Sequence, residues 1–99
     1  MKFFGDDIDP SILKTIVFDT LQFDCPLVQV TNGIYSLELF HGPTLAFKDV
    51  GARFMARLLS HFTTNREKQI NVLVATSGDT GSAVANGFLG VEGVHVYVL

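Results

Sequence analysis

Residues 70–88, INVLVATSGDTGSAVANGF, decide the fold of this 99-residue chain. Their first part, 70–75, is almost entirely apolar and predicts a buried β-strand. A turn rich in glycine, serine and threonine follows at 76–81, and the small residues of 81–89 predict a helix. A second apolar strand is predicted at 94–99. This order of elements predicts a parallel strand pair whose strands are joined by a helix.

Two further helices are predicted upstream of this unit. Apolar residues recur at helical spacing over 10–22, where Asp9 and Pro10 are suited to the N-cap and the first helical position. The spacing also predicts a helix over 49–62, and a polar connection at 63–69 leads to the first strand of the pair. The expected apolar stripe of this second helix consists of Val50, Phe54, Leu58 and Phe62, and Met55 and Leu59 widen it.

A β-hairpin is predicted between the two helices. Residues 27–31 and 34–40 are β-like runs separated by Asn32 and Gly33. Asn-Gly is the strongest two-residue hairpin signal, because both positions of a type I′ turn need positive φ.

The predicted fold class is α/β, with an incomplete domain. The parallel strands and their helix form part of an open, mostly parallel sheet, to which an N-terminal helix and a β-hairpin are added. Parallel sheets are normally covered on both faces, and these few elements cannot cover one. We divide the chain into 1–40, the end of an N-terminal lobe, and 41–99, the truncated start of an α/β domain.

The composition excludes several classes of protein. Seven basic residues against ten acidic ones give a net charge of −3 without a basic cluster, which argues against a nucleic-acid partner. No apolar run approaches the roughly 18 residues of a membrane span. A single cysteine, Cys25, cannot form an internal disulfide and is compatible with a cytoplasmic protein.

The turn after the first strand of the parallel pair is the first candidate site. Ligands of open α/β sheets bind beyond the carboxyl ends of the strands. Free N–H groups at a helix N-terminus attract an anion, and glycines let a ligand approach the backbone. The turn therefore predicts a carboxylate or phosphate site. The alternative is ordinary helix capping by Asp79 or Thr80.

Lys48 is the second candidate, because it stands at the predicted N-terminal end of a helix. The helix dipole disfavours a cation there, and its apolar neighbours at 45–47 suggest partial desolvation. Both effects favour the neutral amine, which is the form that attacks a carbonyl. The alternative is a surface lysine paired with Asp49.

The remaining reactive side chains are weaker candidates. A histidine beside Gly-Pro is more often structural than a proton shuttle, and two arginines one turn apart more often form a solvated face than a phosphate site. No histidine has metal-ligand spacing, so no metal site is expected. The residues considered are His41, Arg53, Arg57, Cys25, His61 and His95.

Two motifs together resemble a known family. Residues 38–49, ELFHGPTLAFKD, and 75–83, ATSGDTGSA, look like the bacterial and fungal branch of the threonine synthases, which are fold-type II enzymes dependent on pyridoxal 5′-phosphate (PLP). The resemblance extends over about 3–99. Related cysteine synthases and dehydratases usually carry an asparagine at the position of Asp79, and they lack the lead-in at 41–44.

The resemblance implies a reaction and a role for each motif. The family converts O-phospho-L-homoserine and water to L-threonine and phosphate, in threonine biosynthesis. Lys48 would form the Schiff base with PLP and move protons during turnover, and residues 41–99 would begin the PLP-binding domain. Asp79 would also contact the cofactor. The residues implied to bind the substrate carboxylate are Thr76, Ser77, Gly78, Asp79 and Thr80.

The resemblance also implies what this chain does not contain. In the family, the glycine-rich loop that holds the cofactor phosphate lies downstream of the position of Leu99. The 99-residue chain alone is therefore expected to have little or no catalytic activity. Two alternatives stay open: another fold-type II lyase or synthase, and a non-catalytic threonine synthase-like module. A small-molecule substrate is the expected partner, and the oligomeric state is left open.

Overall fold

The computed structural model describes residues 3–64 and 69–99, so residues 65–68 of the predicted polar connection lie outside it. The chain has an α/β architecture with one antiparallel and one parallel strand pair. The elements in chain order are α1 (Pro10–Thr20), β1 (Leu27–Thr31), β2 (Ile34–Leu37), α2 (Lys48–Thr63), β3 (Ile70–Val74), α3 (Asp79–Gly87) and β4 (Val94–Val98).

Helix α1 begins where the sequence predicts. Asp9 is the N-cap, and its Oδ1 accepts a hydrogen bond from the Ser11 backbone N–H at 2.8 Å. Hydrogen bonds from the Ser11 side chain and then from its backbone lower the pKa of Asp9. The helix ends at Thr20, two residues before the predicted end, and Leu13 and Ile16 are buried.

The predicted hairpin forms, but β2 ends at Leu37, three residues before the predicted end, and the turn is of a different type. β1 and β2 pair antiparallel, with Leu27 opposite Leu37 and a one-residue register shift before Thr31 pairs with Ile34. Gly33 has φ of +75°, but Asn32 does not have positive φ. The predicted type I′ turn is therefore wrong, because the extra residue in β1 changes the twist at the turn.

The parallel pair is confirmed, but its predicted burial is only half right. β3 and β4 pair in register from Ile70–Val94 to Val74–Val98. Val74 is buried under α3, whereas Leu73 on the opposite face is 73% exposed. The prediction of a fully buried strand is wrong for this chain, because helices cover only one face of the pair.

Helix α2 turns a different face to the core from most of the predicted stripe, of which Leu59 packs against the core. Ala52 and Ala56 are buried against α3, while Val50 and Phe54 are only half-buried. Small side chains let the two helices approach closely: a Cβ on Gly87 of α3 would lie 3.0 Å from the Ala52 carbonyl carbon. Alanine therefore faces the core, and the larger apolar side chains lie toward α1 and the surface.

The N-terminal segment packs on the other side of α2. The Arg53 guanidinium donates to the backbone oxygens of Thr20 and Asp19, each at 3.0 Å, and so satisfies carbonyls at the end of α1. The rings of Phe4 and Phe54 meet edge to face at 6.2 Å. The division into 1–40 and 41–99 stays a prediction. Within the part of the chain that the structure describes, no helix is long and apolar enough to span a membrane.

Candidate active site

Lys48 is the first residue of α2 and has no ion-pair partner among the described residues. Its side chain is half-buried, and its Nζ lies 6.0 Å from the centre of the Phe47 ring. The alternative in which Lys48 pairs with Asp49 is wrong, because the Asp49 carboxylate binds elsewhere. The amine is left available at the positive end of the helix dipole.

The Asp49 carboxylate closes the loop that leads into α2. Asp49 is fully buried, and its two oxygens accept from the Thr44 backbone N–H at 2.9 Å and from the Thr44 Oγ1 hydroxyl at 2.7 Å. A Cβ on Gly42 would lie only 2.6 Å from Asp49 Oδ2 and 3.0 Å from Phe23 Cζ. Glycine is therefore required at this close approach of backbone and carboxylate.

The loop between Gly42 and Lys48 also holds an unusual backbone conformation. Leu45 has φ of +57°, a left-handed conformation that disfavours a branched side chain. Its N–H donates to the Gly42 carbonyl at 3.1 Å, and the Asp49 N–H donates to the Ala46 carbonyl at 3.0 Å. The loop is thus a tight turn that ends at Lys48.

The turn at 76–80 opens α3 without a side-chain cap. The helix starts at Asp79, two residues earlier than predicted, and its N-cap is Gly78 with φ of +146°. The alternative in which Asp79 or Thr80 caps the helix is therefore wrong. Because no side chain hydrogen-bonds to the first N–H groups of α3, they face outward as donors that can bind an anion.

The sides of this turn are fixed by close packing. A Cβ on Gly81 would lie 2.8 Å from Thr76 Cγ2 and 3.1 Å from Val98 Cγ1. The Ser82 backbone N–H donates to the Gly78 carbonyl at 3.1 Å, which closes the first helical turn. Thr76 and Thr80 are half-buried, and the other three predicted substrate ligands, Ser77, Gly78 and Asp79, are exposed.

The two candidate regions belong to helices that pack together. Gly87 of α3 sits on Ala52, one turn into α2 from Lys48. Among the described residues, no hydrogen bond or ion pair joins Lys48 directly to the turn at 76–80. The first region offers an amine, and the second offers backbone amides that no side chain caps.

The weaker candidates have structural surroundings. His41 Nε2 lies 2.7 Å from Glu38 Oε2, and the His41 ring lies against Phe40 at 4.7 Å. Arg57 lies beside Arg53 on α2; partial burial, and then repulsion from Arg53, lower the pKa of Arg57. Across residues 3–64 and 69–99, no three His, Cys, Asp or Glu side chains are placed to hold a metal ion.

Asp49 is the residue whose importance the sequence does not reveal. Its position next to Lys48 predicts only a surface ion pair. The usable signal is weak: an acidic residue in the first helical turn with a threonine five residues earlier. Its complete burial depends on Phe23 and Gly42, which the sequence does not place beside it.

Comparison with known proteins points to one family. No family model matches the chain. The threonine synthase of Escherichia coli strain K12 is 48% identical over 97 residues, which cover 98% of the chain and 22% of that protein. The crystal structure of the Escherichia coli threonine synthase superimposes with a TM-score of 0.86, over 97% of the chain and 22% of that protein.

A second solved structure agrees with the first. The crystal structure of PLP-bound threonine synthase from Brucella melitensis is 36% identical and has a TM-score of 0.88 over 99% of the chain and 22% of that protein. The chain thus spans about 22% of the length of these relatives. In sequence and in structure, it belongs with the threonine synthases and corresponds to part of their N-terminal region.

Proposed function

We propose that this chain supplies part of the catalytic centre of a threonine synthase, which converts O-phospho-L-homoserine and water to L-threonine and phosphate with PLP as cofactor. The observation that carries the proposal is the 48% identity to a threonine synthase over 98% of the chain. Since the chain spans 22% of that relative, the reaction is proposed for the whole protein that contains it.

The residues present fit the part of PLP that reacts. PLP carries an aldehyde, and the chain offers a half-buried primary amine at Lys48 without an ion-pair partner among the described residues. When bound, PLP supplies an electron sink that makes the substrate α-proton acidic. Lys48 would hold the cofactor through Nζ, and Asp79, exposed at the start of α3, would lie close to it.

Lys48 has a second proposed role, as a base. Its Nζ would remove the proton from the substrate α-carbon and would return protons at later steps. An amine does this only in its neutral form, and Nζ has no ion-pair partner among the described residues.

The turn at 76–80 is proposed to bind the substrate α-carboxylate. The open N–H groups at the start of α3 donate to its oxygens, and the hydroxyls of Ser77 and Thr80 add donors. Fixing the carboxylate orients the α C–H bond for removal of its proton. The close packing of Gly81 against Thr76 and Val98 holds the turn in place and so supports this orientation.

The proposal extends to the domain organisation: residues 1–40 would end one lobe, and residues 41–99 would begin the PLP-binding domain. The 99-residue chain alone is inactive, because it spans only 22% of its relatives. The protein works in the cytoplasm, a location supported by its single free cysteine.

The test is a substrate comparison with the full-length protein that contains this chain. We expect phosphate and threonine to form in equal amounts from O-phospho-L-homoserine, and no reaction of L-serine or L-threonine. Turnover of L-serine or L-threonine instead would assign the protein to another group of fold-type II enzymes. Absence of both PLP binding and turnover would leave a non-catalytic module.

The same assay on the 99-residue chain tests the statement about the isolated chain. We expect no phosphate release above the background without protein. Steady-state release would show that these residues suffice for catalysis and would refute that part of the proposal.

A further inference from the structure

Asp49 is a fully buried carboxylate at the start of α2. Among the described residues it has no cationic partner, because the one ion pair they contain joins His41 and Glu38. Removing a carboxylate from water is costly unless hydrogen bonds or charges compensate for it. Its two hydrogen bonds to Thr44 and the positive end of the helix dipole provide that compensation here.

Stability alone does not explain a charge in this place. Replacing both partners of a buried hydrogen bond with apolar groups of the same shape can be nearly neutral or stabilising. The carboxylate does something that an apolar side chain cannot do: its two oxygens hold both the backbone N–H and the hydroxyl of Thr44. It therefore fixes the loop in one conformation.

The fixed loop ends directly at Lys48. Between Thr44 and Asp49 the chain passes through the left-handed Leu45, a conformation that persists only when its surroundings impose it. Gly42 packs on the same carboxylate, with space for no Cβ. The Asp49 carboxylate thus contacts the loop at Gly42 and Thr44, and Lys48 lies in the chain between these contacts and Asp49 itself.

We propose that Asp49 is a positioning residue for Lys48. Its buried carboxylate clamps the loop from Gly42 to Thr44 onto the N-terminus of α2 and so fixes the point from which the Lys48 amine extends. The inference rests on the proposed function, since it gives this rigidity a role in bringing Nζ to the substrate α-carbon. A misplacement of about 1 Å at a reacting group can cost roughly 10²-fold in rate.

The experiment compares four variants of the full-length protein. Asp49→Ala removes both hydrogen bonds, whereas Asp49→Asn keeps the shape, accepting from the Thr44 N–H and donating to its hydroxyl. Gly42→Ala pushes a methyl group against the carboxylate. Ile16→Ala is the matched control, because it removes a buried side chain of α1 away from the loop. Each variant is assayed for kcat, KM and thermal midpoint.

A second readout needs neither cofactor nor activity. Competitive acetylation with acetic anhydride, followed by peptide mass spectrometry, gives the relative reactivity of Lys48 and of Lys14, an exposed lysine on α1. A purely structural role would lower the thermal midpoint and leave the reactivity ratio of the folded protein unchanged. A positioning role changes the reactivity at Lys48 specifically.

We expect Asp49→Ala to lower kcat by about ten- to a hundredfold with KM little changed, and to alter the Lys48 to Lys14 reactivity ratio. Gly42→Ala should act in the same direction, and Asp49→Asn should restore most of kcat. Ile16→Ala should lower the thermal midpoint without changing kcat or the ratio. If Asp49→Ala does not fold, Gly42→Ala gives the same two readouts.

The proposal is overturned if folded Asp49→Ala, or Gly42→Ala where Asp49→Ala does not fold, matches Ile16→Ala in both kcat and reactivity ratio. Failure of the proposed function is a separate result. In that case the wild-type protein releases no phosphate from O-phospho-L-homoserine, whereas the acetylation ratio still decides whether Asp49 positions Lys48.

Discussion

Helices α2 and α3 begin in opposite ways. The start of α2 is closed, because the buried Asp49 carboxylate holds the preceding loop and leaves the Lys48 amine projecting from a fixed backbone. The start of α3 is open, because Gly78 precedes it with φ of +146° and no side chain caps its N–H groups. One helix start presents a primary amine, and the other presents backbone N–H groups that no side chain caps.

The difference shows how one type of element serves two chemical tasks. Both starts have the positive end of a helix dipole. At α2 the Asp49 carboxylate inside the protein makes the stabilising contacts, and Lys48 beside it is the proposed functional residue. At α3 the contacts are left free for a ligand. The proposed active site needs both kinds of helix start.

The largest expected effect comes from removing the Lys48 amine at the closed start of α2. Lys48→Ala should lower kcat by at least about 10²–10⁴-fold through the loss of proton transfer alone. Lys14→Ala, on the exposed face of α1, is the control and should retain full activity. Phosphate release from O-phospho-L-homoserine measures both variants. Substantial activity in Lys48→Ala would remove the lysine from the mechanism.

The open start of α3 is tested by adding a side chain at Gly78, whose positive φ favours glycine. Gly78→Ala forces alanine into a conformation that costs about 1–3 kcal/mol, so the turn should shift away from its donor geometry. We expect kcat/KM to fall by roughly ten- to a hundredfold, mainly through a higher KM. The matched control is Gly33→Ala, which places similar strain in the hairpin at φ of +75°. An equal loss in both variants would argue against a substrate site at the turn.

The contact that holds the two helices together should affect stability. Gly87→Ala would place a Cβ 3.0 Å from the Ala52 carbonyl carbon and should cost about 1–3 kcal/mol through overpacking. Gly51→Ala, on the exposed side of α2 with open space around it, should instead stabilise by about 0.5–1 kcal/mol. Thermal midpoints of the two variants measure the difference. Equal shifts would contradict the close approach of α2 and α3.

The smallest effect concerns the third helix start, where Asp9 caps α1. Hydrogen bonds from Ser11 hold the pKa of Asp9 below its ordinary value of 3.8. The contribution of the cap is therefore present above that value and is lost as the pH falls through the lower pKa of the folded state. The difference in thermal midpoint between wild type and Asp9→Ala should be constant near neutral pH and shrink below pH 3.8. The difference between Asp9→Asn and Asp9→Ala should not follow this titration.

Local features could be predicted from the sequence, whereas features set by contacts could not. The start of α1 follows from Asp9 and Pro10, and the parallel pair follows from the alternation of strand, turn and helix. The buried face of α2 could not be read from its apolar stripe. Gly87 approaches Ala52 so closely that this face favours small side chains, and Ala52 and Ala56 are the buried ones. The same applies to the candidate site. Lys48 and the turn at 76–80 stand out by motif, but the clamp at Asp49 depends on how the loop at 42–44 folds back onto α2 and on Phe23, which is distant in the chain.

The proposed attachment of the cofactor to Lys48 is tested most directly by chemical labelling. The full-length protein is incubated with PLP, reduced with borohydride and mapped by peptide mass spectrometry. The lysines of this chain, Lys2, Lys14, Lys48 and Lys68, serve as internal standards for one another. We predict that the label is concentrated on Lys48. Label spread evenly over the four lysines, or concentrated on a different one, would contradict the account.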